Sequence, residues 1–368
     1  MDWVESSGAI AKVDELLASV GLEHGQRKTL VGTWQGGERK TKAKGNSAGP
    51  IPTSQRRDPS TRSGQAPGHP KRGQVGVVAA PGWEKYAWLR HGFSARGGGV
   101  SSIYGDAELN LGWTKEDESA NVAENRQRLL KAIGAVDGKL VTLRQFHSGM
   151  VRIIEKEDGA SAGRLQSADG RAVLRGDGMM TDVPGVILGV QVADCVPVLV
   201  ADVRKRAVAA FHAGWRGTLA RIVEHGIGRM RLRYGSRPQD LIAVVGPAIG
   251  PCCYSVGEEV RFEFESQFAY APELFTEVYD SDPVRDKYPL LFLTARAPGH
   301  SNIGPQMHLD LWEANRRQLL DAGIPAKRIA VVGECTACAR AGDALKYFSH
   351  RGESGFAGRM MGVIGVMK

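Results

Sequence analysis

The chain has 368 residues, 42% of them hydrophobic, and a formal net charge of +8, which is apolar material enough for one large core or two modest ones. The charge hints at a polyanionic partner, but residues 1–80 hold twelve Lys/Arg against seven Asp/Glu, so most of the surplus is local and no nucleic-acid partner is expected. No apolar run approaches the roughly 20 residues of a membrane span. No apolar stretch follows a basic start at Met1, and five cysteines fit reduced thiols in a cytoplasmic protein.

In chain order, Ile10, Val13, Leu16, Leu17 and Val20 recur at helical spacing and predict a short helix. From Gly32 to Gly73 the chain is rich in Gly, Ser, Pro, Lys and Arg. Such a composition cannot bury enough surface to offset its ordering entropy, so residues 1–73 are expected to form a disordered basic extension. An upstream-assigned start codon is the alternative. Residues 74–368 are expected to form a single catalytic domain. Val186–Val192, Val196–Val203 and Ala207–His212 predict three successive buried strands, with a bend at Asp194-Cys195. Gly217 opens a helix whose buried face is Leu219, Ile222, Val223, Gly226, Ile227 and Met230. Leu241–Val245 predicts another strand, closed by Gly246-Pro247. Leu309 to Ala322 predicts a helix ended by Gly323 and Pro325. Ile329–Val332 and Met361–Val366 are late strands. The pattern implies an α/β fold with helices packed outside the sheets. It offers no Walker loop and no GxGxxG after a strand, so neither common nucleotide fold is supported.

Three segments place metal-ligand residue types where a buried core would not want them, and Cys195 and His212 each sit at a strand end, where a scaffold holds a side chain rigidly and accessibly. They are Arg144-Gln145-Phe146-His147-Ser148-Gly149, Val192-Ala193-Asp194-Cys195-Val196-Pro197 and Phe211-His212-Ala213-Gly214-Trp215-Arg216-Gly217. Two His and one Cys can form a three-ligand zinc set that keeps a fourth position for water or substrate. On spacing alone each of the three is better read as an ordinary core residue, since no CxxC…CxxC or HExxH pattern accompanies them. Arg96 precedes Gly97-Gly98-Gly99, whose amides are candidates for an anion nest; the alternative is a solvated arginine before a turn. Cys252-Cys253 and Cys335-x-x-Cys338 have no second CxxC beside them and are read as structural or incidental thiols. His91, His300, His308 and His350 are expected at the surface or behind the site. Trp215 is expected to pack as a wall, and Arg216 either to pair with a carboxylate such as Asp194 or to be solvated.

The stretch from Asp177-Gly178-Met179-Met180-Thr181 to Gly217 resembles the signature block of the YfiH or laccase-domain family, also called multicopper polyphenol oxidoreductases. This is the family of FAMIN-type purine nucleoside phosphorylases and of a peptidoglycan editing factor. The resemblance runs from about Gly92 to the C-terminus and includes Leu109-Asn110-Leu111-Gly112, Gly246-Pro247-Ala248-Ile249-Gly250, Phe348-Ser349-His350-Arg351 and Gly358-Arg359. It implies a layered sandwich with two central β-sheet layers and outer helices. It implies a metal site of His147, Cys195 and His212, which would also be catalytic, and a phosphate role for Arg96; Gln145 and Asp194 are expected to meet substrate beside it. Where the family has Gln-Val-His-Gly, this chain has Gln145-Phe146-His147-Ser148, which bears on substrate preference and leaves the ligand in place.

The implied chemistry is zinc-dependent phosphorolysis of purine nucleosides, including methylthioadenosine, with deamination of adenosine. Activated water against C6 of a purine suits a His/Cys metal site. The expected partners are nucleosides and phosphate, and the expected state is a monomer or weak oligomer. Two alternatives stand beside this one. The first is amide hydrolysis on a peptidoglycan precursor with a Cys–His pair. The second is copper-dependent phenol oxidation, disfavoured because the chain has nine His and no HxH pair.

Overall fold

The computed structural model describes residues 74–156, 158, 165–167, 170–278 and 306–367, all within the compact unit Ala66–Lys368. The helix expected near Ile10 to Val20 and the basic extension of residues 1–73 lie outside the described residues, as does His300.

The strands in chain order are β1 Val77–Val78, β2 Leu89–Ser94, β3 Gly97–Ser101, β4 Lys139–Thr142, β5 Val151–Ile153, β6 Gly178–Thr181, β7 Val186–Val192, β8 Val196–Asp202, β9 Ala207–Ala213, β10 Leu241–Val245, β11 Ser255–Val256, β12 Phe275–Val278, β13 Gln306–Leu309, β14 Ile329–Val331, β15 Arg340–Ala341, β16 Ala344–Leu345 and β17 Met360–Val366. The helices are α1 Ser119–Ala132, α2 Trp215–Leu219, α3 Ile222–Tyr234, α4 Glu258–Gln267 and α5 Leu311–Asp321.

Two large sheets carry the fold. One has the order β1-β2-β17-β7-β4, the other β14-β10-β8-β9-β6-β5. Strands β7, β8, β9, β10 and β17 are buried almost throughout, so they read in sequence as continuous apolar runs, and alternate residues serve different layers. Leu199, Ala201, Val208, Ala210, Ile242 and Val244 of the second sheet pack with Phe93, Leu188, Val190 and Ile364 of the first. Val198, Val200, Ala209, Phe211, Ala243 and Val245 face the other way and pack with Ile222, Val223, Ile227, Met230, Leu311 and Leu319 of α3 and α5. On the far side, Leu140, Ile187, Met361 and Val363 of the first sheet receive Leu129 and Leu130 of α1. The layers are helix, sheet, sheet, helix, as the resemblance implied.

Strand β7 has the expected bounds, and β8, β9, β10, β14 and β17 differ from expectation by a residue at most. The helix expected to run on from Gly217 is instead two helices. Arg221 adopts φ 53° and breaks it, and its guanidinium holds the break by binding the Gln267 carbonyl and Glu224 while lying over Phe268. The helix expected from Leu309 begins at Leu311 because Asp310 caps it, accepting from Glu313 N at 2.9 Å; Leu309 belongs to β13. Among the described residues no helix is long and apolar enough to cross a membrane.

Candidate metal centre and active site

His147 follows β4 of the first sheet, Cys195 sits in the turn from β7 to β8 that crosses between the sheets, and His212 lies near the end of β9 in the second. Their candidate ligand atoms all lie within 4.8 Å of one another, and the two imidazoles meet edge to face with centroids 5.0 Å apart. The approach requires a glycine at 214. A Cβ there would lie 2.8 Å from the Cys195 sulfur, closer than real Cβ contacts allow, and a tight 3.2 Å from the His147 ring.

Asp177, just before β6, organises this cluster. Its carboxylate accepts from the backbone N–H groups of Phe146, His147 and Ser148, from the Ser148 hydroxyl, and from His212 Nδ1 at 2.9 Å. His147 is held at φ 62°, a left-handed conformation unfavourable for a residue with a Cβ, and the amide bonds to Asp177 fix it there. Because Nδ1 of His212 is committed to Asp177, Nε2 is the nitrogen left for a metal, the usual carboxylate–histidine–metal arrangement. The sequence reading did not assign Asp177 this role. Its signals are an acid immediately before an apolar strand and its place at the head of the motif block.

The electrostatics follow from these contacts. Burial alone would raise the Asp177 carboxyl, but donors from His212 and Ser148 outweigh it and hold it at about 2. Burial would also raise the Cys195 thiol. The charge of His212 and hydrogen bonds from both histidines overcome this and bring it down to about 6. Burial would lower His212, but Cys195 and Asp177 draw it up to about 9. Without a cation the pair is thiolate and imidazolium. A thiolate and two imidazoles, one already oriented through its other nitrogen, are the donor set of a thiophilic divalent metal with an open fourth position.

The cluster opens into a cleft of about 960 Å³ whose lining includes Arg144, Arg171, Arg351, Arg359, Trp113, Tyr254 and His350. Gln145 and Asp194 also line it, but protein groups engage their polar atoms. The Gln145 amide both donates to the Gln191 carbonyl and accepts from the Gln191 N–H, each at 2.8 Å. Asp194, at φ 94°, accepts from the Thr336 hydroxyl at 2.7 Å and from Arg351 N at 2.6 Å. Arg216 stacks on Trp215 at 4.2 Å, and Trp215 packs against the core of the second sheet. His91 is half-buried and accepts from Ala80 N, and His308 is buried against the Pro251 carbonyl.

The anion nest expected after Arg96 is corrected by the structure. Gly97–Ser101 is strand β3, and the amides of Gly98 and Gly99 donate to the Ala107 carbonyl. Arg96 itself is outside the lining of the cleft. Its guanidinium binds Glu108 at 2.9 Å, Glu353 at 2.7 Å and the Tyr104 carbonyl at 2.6 Å, and it lies over the Phe348 ring.

Comparison with known proteins agrees with this architecture. Residues 90–367 match the family described as multi-copper polyphenol oxidoreductase laccase. A protein of Geobacillus stearothermophilus named purine nucleoside phosphorylase YlmD is 33% identical over 291 residues, spanning 77% of this chain and 95% of that one. A protein of an unknown prokaryotic organism named adenosine deaminase RL5 is 31% identical over 247 residues, 67% of this chain and 84% of that one. The crystal structure of the hypothetical protein YfiH from Bacillus licheniformis superposes with a TM-score of 0.64 at 30% identity, covering 79% of this chain and 96% of that one. The chain belongs to the multi-copper polyphenol oxidoreductase laccase family, with the fold of YfiH and YlmD.

Proposed function

We propose that this protein is a zinc-dependent purine nucleoside phosphorylase that also deaminates adenosine and phosphorolyses methylthioadenosine, acting in the cytoplasm. The observation that carries the reading is the His147–Cys195–His212 cluster opening into an arginine-rimmed cleft, in a chain whose relatives bear phosphorylase and deaminase names. The cleft volume lies at the upper end of the range for small-molecule sites, which suits a nucleoside together with an anion.

When bound, the metal supplies Lewis acidity, polarising an oxygen or making water a stronger nucleophile near neutral pH. His147, Cys195 and His212 would hold it, and Asp177 keeps the His212 tautomer and ring fixed. Phosphate, a dianion near neutral pH, needs fixed cationic donors. We assign that role to the cleft arginines, with Arg144, exposed on the cleft wall, as first candidate; Arg96 would first have to leave two carboxylates. Gln145 and Asp194 hold the walls that substrate would meet.

The test is a panel of adenosine, inosine, guanosine and methylthioadenosine, with and without phosphate, followed by product masses. Free base with ribose 1-phosphate, or methylthioribose 1-phosphate from methylthioadenosine, is expected only when phosphate is present, and inosine from adenosine with or without it. No turnover of any nucleoside by metal-loaded protein would refute the reading. One observation favours a second reading: a thiolate–imidazolium pair, Cys195 and His212, is also a nucleophile and its acid–base partner for amide cleavage. A trapped acyl-Cys195 with a peptidoglycan precursor peptide would support that alternative.

A further inference from the structure

A second group of metal-ligand side chains lies apart from the catalytic cluster. The sulfurs of Cys252, Cys253, Cys335 and Cys338 all lie within 4.8 Å of one another. All four are free thiols. The fold accounts for their meeting across some eighty residues of chain. Strands β10 and β14 pair in parallel, with Val245 opposite Val331, so the loops that follow them leave the same end of the sheet. Their backbones stay tied beyond the strands: Val332 N donates to the Val245 carbonyl, Ala248 N to the Glu334 carbonyl and Thr336 N to the Ala248 carbonyl. Cys252-Cys253 ride on one loop and Cys335-x-x-Cys338 on the other.

We propose that these four cysteines form a structural site for one tetrahedral, thiophilic divalent cation, zinc, distinct from the catalytic centre. A zinc–thiolate bond of about 2.3 Å sets the sulfur–sulfur edge of a tetrahedron at about 3.8 Å, and Cys252 and Cys338 stand 3.7 Å apart. A disulfide needs about 2.05 Å, so the pair is spaced as ligands and not as a bond. Sulfurs this close leave no room for a polynuclear iron–sulfur core. Gly250 N donates to the Cys335 sulfur at 3.2 Å, an outer hydrogen bond that orients a ligand and offsets part of its charge. Gly250 also keeps this space open, since a Cβ there would lie 3.3 Å from the Cys252 sulfur and closer still to Trp312. Cys335 is buried while Cys252 and Cys338 reach solvent, which gives the ion a route in.

The site would brace the catalytic turn. Thr336, between the two ligands of one loop, donates to Asp194 Oδ1 at 2.7 Å, and Ile249, on the other loop, donates its N–H to the Asp194 carbonyl at 2.9 Å. Tyr254, next to Cys253, lines the cleft. Joining the loops through one ion therefore fixes the residue that precedes Cys195 from two sides.

The experiment separates the two sites. The full-length Cys195→Ala/His212→Ala variant, grown with zinc and freed of loose metal, is expected to retain about one zinc equivalent with four sulfur neighbours by X-ray absorption. The Cys252→Ser/Cys338→Ser variant, altered at exposed positions, is expected to lose one equivalent relative to the parent and to melt at a lower temperature. If the first variant does not fold, cobalt-loaded parent protein answers the same question. Two sites give thiolate-to-metal absorption from five sulfurs, and the catalytic site alone gives it from one. A metal-free Cys195→Ala/His212→Ala variant that is folded would overturn the proposal. So would a nitrogen- or oxygen-rich shell, single-thiolate absorption, or a Cys252–Cys338 disulfide in protein purified without oxidant.

Discussion

Replacing Asp177 by Asn removes a charge from the point where donors from three consecutive backbone amides, one hydroxyl and one imidazole converge. Two contributions set the expected loss. The native carboxyl lies near 2, against an ordinary 3.8, a difference equivalent to about 2 kcal/mol in favour of the folded, ionised state. The substitution also places an NH2 where an oxygen accepted. If it takes the Oδ2 position, the Ser148 N–H faces a donor, and an unsatisfied buried amide costs about 1–3 kcal/mol. The sum is a destabilisation of about 3–5 kcal/mol, read by urea unfolding of the metal-free protein. The sign with pH follows from a depressed pKa. The charge part of the parent's extra stability over the variant, about 2 kcal/mol, is fully present above pH 3.8 and is lost as pH falls through 2. Metal affinity should fall by about 10–100-fold, because the carboxylate that orients His212 is gone; a competing chelator measures this. A loss below about 1 kcal/mol with unchanged metal affinity would refute the role given to Asp177.

Other outcomes follow from the same geometry. Gly214→Ala is expected to abolish metal binding while the fold persists by circular dichroism, because the new methyl occupies the space against the Cys195 sulfur; a variant with full metal content would sink this. Arg96→Ala should destabilise the protein by about 2–4 kcal/mol by stranding Glu108 and Glu353, and should lower phosphorolysis and deamination together. Arg144→Ala should instead raise the phosphate KM and leave deamination nearly unchanged, as steady-state kinetics of both reactions will show. In metal-stripped protein, alkylation of Cys195, followed by peptide mapping, should rise with a midpoint near pH 6, and metal should protect the thiol. A chain shortened to begin at residue 74 is expected to keep its turnover.

Strands β7, β8, β9, β10 and β17 were legible because they are buried on both faces. Val196–Asp202 and Ala207–Ala213 are uninterrupted runs of buried residues, a signal that survives without knowledge of the partner strand. The break at Arg221 was not legible, since a single left-handed residue leaves the 3.6-residue apolar spacing across it intact. At the site, His147, Cys195 and His212 were singled out through motif resemblance, because nothing in their spacing says that three distant segments converge. Asp177 escaped notice for a physical reason: its role depends on which amides fold over it, and those belong to residues thirty positions earlier. The carboxylate partners of Arg96 were not legible, because a guanidinium before three glycines looks the same whether its partners are phosphate or two distant carboxylates. The four cysteines were treated as unrelated pairs because parallel strand pairing joins their loops, and sequence order hides that adjacency.

The His147–Cys195–His212 cluster draws on both sheets: His147 comes off the first, His212 belongs to the second, and Cys195 lies on the turn that joins them. The spacing of its donor atoms therefore registers how the sheets sit on each other. Trimming a side chain in the layer between them, such as Leu199 or Leu188, lets the sheets settle closer or slip. An ion that demands fixed bond lengths would feel that shift from well beyond its own ligands. Selection for a different metal, or for looser binding of the same one, thus has a route through the apolar interior that leaves every residue of the cleft unchanged.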